Sequence, residues 1–144
     1  MEKRIQISLK LYEMIESKGL VIVGEDTDFG ERHFDRDFNR NYPVIRGIVD
    51  RYMLREFSVK KATPKQRKEA LDREVDASGA QAVIFYTNKY DEVATWDMPK
   101  QIESLERRGI KHIRFEKMLW PVSKNEGLEE RICEFAEEMK GGRS

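Results

Sequence analysis

Between residues 9 and 15 the apolar side chains Leu9, Leu11, Tyr12, Met14 and Ile15 recur at helical spacing, and Gly19 follows as a stop signal. Ile45, Ile48, Val49, Tyr52 and Met53 form a second helical stripe after Pro43. Thr63-Pro64-Lys65-Gln66 combines an N-cap residue, a first-turn proline and a third-position Gln, predicting a helix from Pro64 to about Gly79. Asp97, Met98 and Pro99 read as the opening of a fourth helix with Ile102 and Leu105 inward and Gly109 at its end. Ser123-Lys124-Asn125-Glu126 reads as a capping box for a last helix carrying Leu128, Ile132, Phe135, Ala136 and Met139 on one face.

Between these stripes the periodicity changes. Leu20-Val21-Ile22-Val23 and Ala82-Val83-Ile84-Phe85-Tyr86 are unbroken, largely β-branched runs and predict buried parallel strands. His112-Ile113-Arg114-Phe115 alternates, as a half-exposed edge strand does, and Arg4-Ile5-Gln6-Ile7-Ser8 offers a further short alternating strand. The order of elements predicts an α/β domain: a small three-layer, Rossmann-like or flavodoxin-like sandwich with a parallel sheet of three or four strands. With 144 residues and no repeat or linker, residues 1–144 are expected to form a single domain. Strands ending at Val23 and Tyr86 would send both following loops to the carboxyl edge of the sheet, where such folds bind ligands.

Composition narrows the classes. Lys plus Arg and Asp plus Glu number 27 each, leaving no net field to draw nucleic acid or an anionic membrane. Cys133 is the only cysteine, so an internal disulfide and a cysteine-only metal site are both excluded, and no apolar run nears the roughly 20 residues of a membrane helix. A cytoplasmic protein is expected. Cys133 itself reads as a small buried or half-buried side chain of the last helix. Gly-x-Gly-x-x-Gly, Walker and Gly-x-Ser-x-Gly motifs are missing, so nucleotide-loop and serine-hydrolase chemistry have no cradle or nucleophile elbow.

The residues with chemical potential lie on the two loops. Glu25, Asp26 and Asp28 supply oxygen ligands for a hard cation, or form an acidic loop that caps its own turn, the plainer reading. Arg32 and Lys89 suit a phosphate or carboxylate, the first through a planar fork and the second as a point charge. His33 and His112 have no second histidine at ligand spacing. Trp96 and Trp120 read as packing anchors. The candidate ligand-binding set is Asp26, Arg32, Lys89 and Asp91.

In this order and spacing, the segments Leu9-Lys10-Leu11-Tyr12, Val21-Ile22-Val23-Gly24-Glu25-Asp26, Gly30-x-Arg32-x-Phe34, Asp50-Arg51-Tyr52 and Ile84-Phe85-Tyr86-Thr87-Asn88-Lys89-Tyr90, followed by Trp96-Asp97 and Pro99, resemble the carboxyl-terminal domain of the 2-hydroxyacyl-CoA dehydratase and benzoyl-CoA reductase superfamily. The resemblance runs from about Ile5 to Met139. It implies a Rossmann-like fold and, in the family, a [4Fe-4S] cluster held by cysteines and charged by an ATP-dependent activator, acting on acyl-CoA substrates. One of those cysteines belongs to the loop that corresponds to residues 89–99, and its position is taken here by Asp91. A single carboxylate cannot hold a cluster that depends on thiolates, so no cofactor is expected in the isolated chain.

Three functions follow as expectations: a non-catalytic binding or assembly module retaining an acyl-CoA or partner surface; a subunit of an active dehydratase or reductase completed by partner chains; or an unrelated flavodoxin-like binding module. The expected partners are a second dehydratase or reductase subunit, an ATP-dependent activator, or acyl-CoA, with neither nucleic acid nor membrane among them.

Overall fold

The structure is a computed structural model that describes residues 2–27, 37, 39–53 and 62–141. Five α-helices and two strands alternate among them: α1 (Glu2–Ser17), α2 (Val44–Met53), α3 (Pro64–Ser78), β1 (Ala82–Asn88), α4 (Glu92–Arg107), β2 (Lys111–Met118) and α5 (Leu128–Gly141). β1 and β2 pair in parallel with Ala82 opposite Lys111 and Tyr86 opposite Phe115, and α4 supplies the crossover between them. The chain is therefore an α/β domain with a parallel sheet, as the order of elements predicted.

Among the described residues the sheet has two strands and not the three or four expected. Residues 4–8 belong to α1 and not to a strand, because no glycine or proline separates them from the helical stripe and extending a formed helix costs less than starting a strand. Residues 20–23 belong to no strand: Leu20 and Ile22 pack on the core while Val21 and Val23 are 78% and 52% exposed. Burying one face satisfies half of that run without a ladder, so the apolar sequence does not by itself supply a third strand.

The core has two parts. Leu11 and Ile15 of α1, Phe115 of β2, Val122, and Leu128 and Ile132 of α5 form one cluster, with Ile84, Tyr86, Ile113 and Met118 packed against it. α4 contacts both strands and α3. Its buried Met98 and Leu105, with Ala70 and Val75 of α3, stay outside that cluster.

Local signals place α3 as the sequence predicts. The Thr63 side chain accepts from the Gln66 amide at 3.3 Å, and Gln66 Oε1 accepts from the Thr63 amide at 2.8 Å, a reciprocal capping box. Gly79 closes the helix at φ 65°, a left-handed conformation that suits glycine. The other helix starts differ. α4 begins at Glu92, capped by Asp91, so Pro99 lies inside the helix and not at its opening. The stretch expected to cap the last helix forms a 3-10 turn, Val122–Lys124, and α5 starts at Leu128 after Gly127 at φ 72°. Asn125 serves that turn instead: its amide donates to the carbonyls of Leu119 and Val122, and its oxygen accepts from the Leu119 amide at 2.7 Å.

Two expectations about burial fail. Val44, Ile45, Ile48, Val49, Tyr52 and Met53 of α2 are all exposed, and Gly47 alone of that helix is buried. Trp96 is 82% exposed and Trp120 44%, so neither is a core anchor. A tryptophan's volume favours burial only where a facing cavity exists, and sequence spacing does not report one. Cys133 lies half-buried on α5, as expected.

Candidate functional site

A cleft of about 1770 Å³ runs along β1. One wall is residues 19–27; the other is β1 and the turn after it, with Arg67 and Val75 of α3 and Asp97 and Met98 of α4 completing the lining. Three of the four candidate residues, Asp26, Lys89 and Asp91, line this cleft. Arg32, with Asp28 and His33, lies outside the described residues. The shared cleft does not arise from two strands ending at one edge. Residues 20–27 pass beside β1 without joining the sheet, and Gly24 comes close to Ser78, near the start of β1, where a Cβ would stand 3.6 Å from that of Ser78.

The second loop is fixed by backbone contacts. The Lys89 amide donates to the Met118 carbonyl at 3.0 Å, and the Asp91 amide to the Asn88 carbonyl at 2.9 Å, which turns the chain sharply out of β1. Asp91 then caps α4: its carboxylate accepts from the Ala94 amide at 3.4 Å, and its carbonyl accepts from the Thr95 hydroxyl at 3.1 Å. A carboxylate at a helix start is stabilised by the unpaired amides and the positive end of the helix dipole. This is a structural duty that aspartate performs and that a thiol performs poorly.

On the first loop Glu25 accepts hydrogen bonds from the hydroxyls of Tyr12 and Thr27. Its carboxylate is thus tied to α1. Deeper in the cleft, Tyr86 ends the apolar part of β1, and burial pushes its phenol above the ordinary tyrosine range, with Asn125 pulling weakly the other way. Beside it Thr87 is 4% exposed, and its Oγ1 accepts from the Lys117 amide at 3.3 Å.

An ion pair that periodicity did not single out lines the cleft. Arg67 on α3 and Asp97 on α4 form a salt bridge with side chains 11% and 7% exposed, and Arg67 also donates to the Ala62 carbonyl. A signal was available: an aspartate set in the otherwise apolar Trp96-Asp97-Met98 is costly to bury alone and implies a cation from another element. Nearby, Asp72 of α3 receives hydrogen bonds from Lys68, from Ser104 of α4 and from Arg108. Burial alone would raise the Asp72 carboxyl, but those donors outweigh it and hold it below the ordinary range.

The fit to a thiolate-held cluster is poor. The one thiol, Cys133, lies half-buried on α5, whereas Asp91 follows β1 with its carboxylate on the Ala94 amide. Among the described residues, no group of three or more His, Cys, Asp and Glu side chains is set to hold a metal ion.

Fold and cleft together define an α/β domain with a mostly apolar groove along a parallel sheet. Its residues 5–139 match the family described as 2-hydroxyglutaryl-CoA dehydratase, D-component. The chain belongs to that family, which makes it a dehydratase-like domain. No curated protein and no solved structure matches it. Among the described residues, no helix is long and apolar enough to cross a membrane.

Proposed function

We propose that this chain is a non-catalytic binding module of its family, which holds an acyl-CoA or similarly anionic ligand in the cleft beside β1 and carries no iron–sulfur cluster. The observation that carries the reading is Asp91. It stands where the resemblance places a cluster cysteine, and its carboxylate is engaged in starting α4. Lys89, one residue before that turn, is exposed at the cleft and supplies the cationic contact. The family description names a CoA thioester, and such a ligand brings the phosphates that a lysine at a loop tip can meet.

The test has two arms. Anaerobic incubation with iron and sulfide should leave no stoichiometric iron on the chain, and calorimetric titration with CoA should show saturable binding that Lys89→Ala weakens. A one-to-one cluster with sulfur-to-iron charge-transfer absorption would overturn the first arm, and no saturable binding would overturn the second.

A second reading, an active enzyme completed by a subunit that brings the cysteines, is favoured by the exposed stripe Ile45, Ile48, Val49 and Tyr52 on α2, since apolar patches of that kind commonly mark a protein interface. In that case iron would be retained only in the complex.

A further inference from the structure

Among the described residues β1 is an edge strand, since the sheet is β1 and β2 alone, yet it has the sequence of a central one. Ala82-Val83-Ile84-Phe85-Tyr86-Thr87 carries neither a charge nor a proline. Natural sheets seldom leave such an edge bare, because its free amides and carbonyls pair with any strand that reaches them. β2 shows the guarded alternative: Lys111, Arg114, Glu116 and Lys117 are exposed along it, and the register shifts between Tyr86 and Asn88, where Lys117 takes φ 55°. Ala82 to Tyr86 are only half-buried, whereas a parallel strand flanked on both edges is covered.

The unguarded edge opens into the cleft. All seven residues of β1 line it, so it follows the strand for about 23 Å at roughly 3.3 Å per residue. Leu11 and Ile15 of α1, Leu71 and Val75 of α3 and Met98 of α4 give it an apolar lining, while of β2 only Met118, at the end, takes part among the described residues. The cleft therefore lies along the edge of β1 turned away from β2, and no backbone hydrogen bond crosses it from Ala82–Thr87 to residues 20–27.

Charge is unevenly placed along this edge. Glu25 and Asp26 follow Gly24, which stands beside Ser78 just before β1, and Glu74 lies one turn earlier on α3, its carbonyl accepting from the Ser78 hydroxyl at 2.7 Å. All three acidic residues line the cleft, and Lys89 lines it beyond the other end of β1.

We infer that β1 binds an extended segment of another protein by strand addition: an unbroken β-branched run laid along the edge away from β2, with a lysine or arginine at the end that meets Glu25, Asp26 and Glu74. In such additions backbone bonds supply affinity and the pockets beside the strand supply specificity. Pairing along β1 is independent of the CoA reading of the cleft.

The probe is the peptide acetyl-Lys-Arg-Val-Thr-Val-Ile-Val-amide, whose basic residues lead and so set it parallel to β1. Added to the full chain, it should slow hydrogen exchange at the β1 amides that turn away from β2 and leave β2 unchanged. Of two versions N-methylated at alternate amides, the one blocked toward β1 should bind about tenfold more weakly and the other should not. Glu-Glu in place of Lys-Arg should weaken binding at low salt. Val83→Lys, which guards β1 as lysine guards β2, should abolish binding; the methylated pair tests the same point on unaltered protein if that variant does not fold. Equal binding by both methylated peptides would overturn strand addition, as would no binding at millimolar peptide or protection gained along β2. Slow exchange at the outward β1 amides of the free protein would show that the chain's own residues cover the edge, and protection that rises with protein concentration would give it to a second copy; either result contradicts a foreign segment. CoA that binds where the peptide does not would overturn strand addition alone, and the reverse would overturn only the CoA reading.

Discussion

Arg67 and Asp97 show how a single pair can hold two helices and the cleft wall at once. Both charges are nearly out of water, so truncating either strands its partner; Arg67→Ala should cost about 3–5 kcal/mol, read as a lower urea midpoint. Replacing both with apolar residues of similar volume, Arg67→Met with Asp97→Leu, should recover most of that loss, and a double variant no better than the single would show that the pair contributes more than mutual neutralisation. The Thr63 cap is a smaller and purely local device. Thr63→Ala removes the acceptor for the Gln66 amide and should cost about 1 kcal/mol, again read from the denaturation midpoint. That cap could be read directly from Thr63-Pro64-Lys65-Gln66, since everything it needs lies within four residues. The exposure of Trp96 and Trp120 could not, because it depends on what distant elements place opposite them.

Helices were easier to read than strands for the same reason. α3 and its left-handed Gly79, and the buried stripe Leu128, Ile132, Phe135 and Ala136 on α5, are set by neighbours in sequence. Whether residues 20–23 join a sheet depends on a partner sixty residues away, and an apolar run records only that some face is to be buried. The α3–α4 contact is likewise long-range and centres on Asp72. The folded-state pKa of Asp72 is depressed, so its contribution is present above the ordinary aspartate value of about 3.9 and is lost as pH falls through the lower folded value. Acid titration of stability should therefore show a smaller decline below about pH 4 in Asp72→Asn than in the parent protein, and identical acid limbs would contradict the assignment. Leu105, fully buried on the same helix, should cost about 2–5 kcal/mol as Leu105→Ala.

For the molecule as a whole, sequence order was enough for the α/β class, the parallel pairing and the family to which residues 5–139 belong. Asp26, Lys89 and Asp91 do share a cleft, though by a route other than strand direction, since residues 20–27 lie beside β1 and not within its sheet. Changing Asp91 to cysteine should not create a cluster site, because Cys133 is on α5; Asp91→Cys protein should take up no more iron than the parent unless a partner supplies ligands, while losing some stability with the α4 cap. The central claim, that the cleft beside β1 binds a CoA-type anion, is tested most directly by amide chemical-shift mapping of the labelled protein during CoA titration. Concerted, saturable shifts of Gly24 to Thr27 together with Thr87 to Asp91 are expected. Shifts confined to Gly79, Ala80 and Lys111, or none at millimolar CoA, would contradict it.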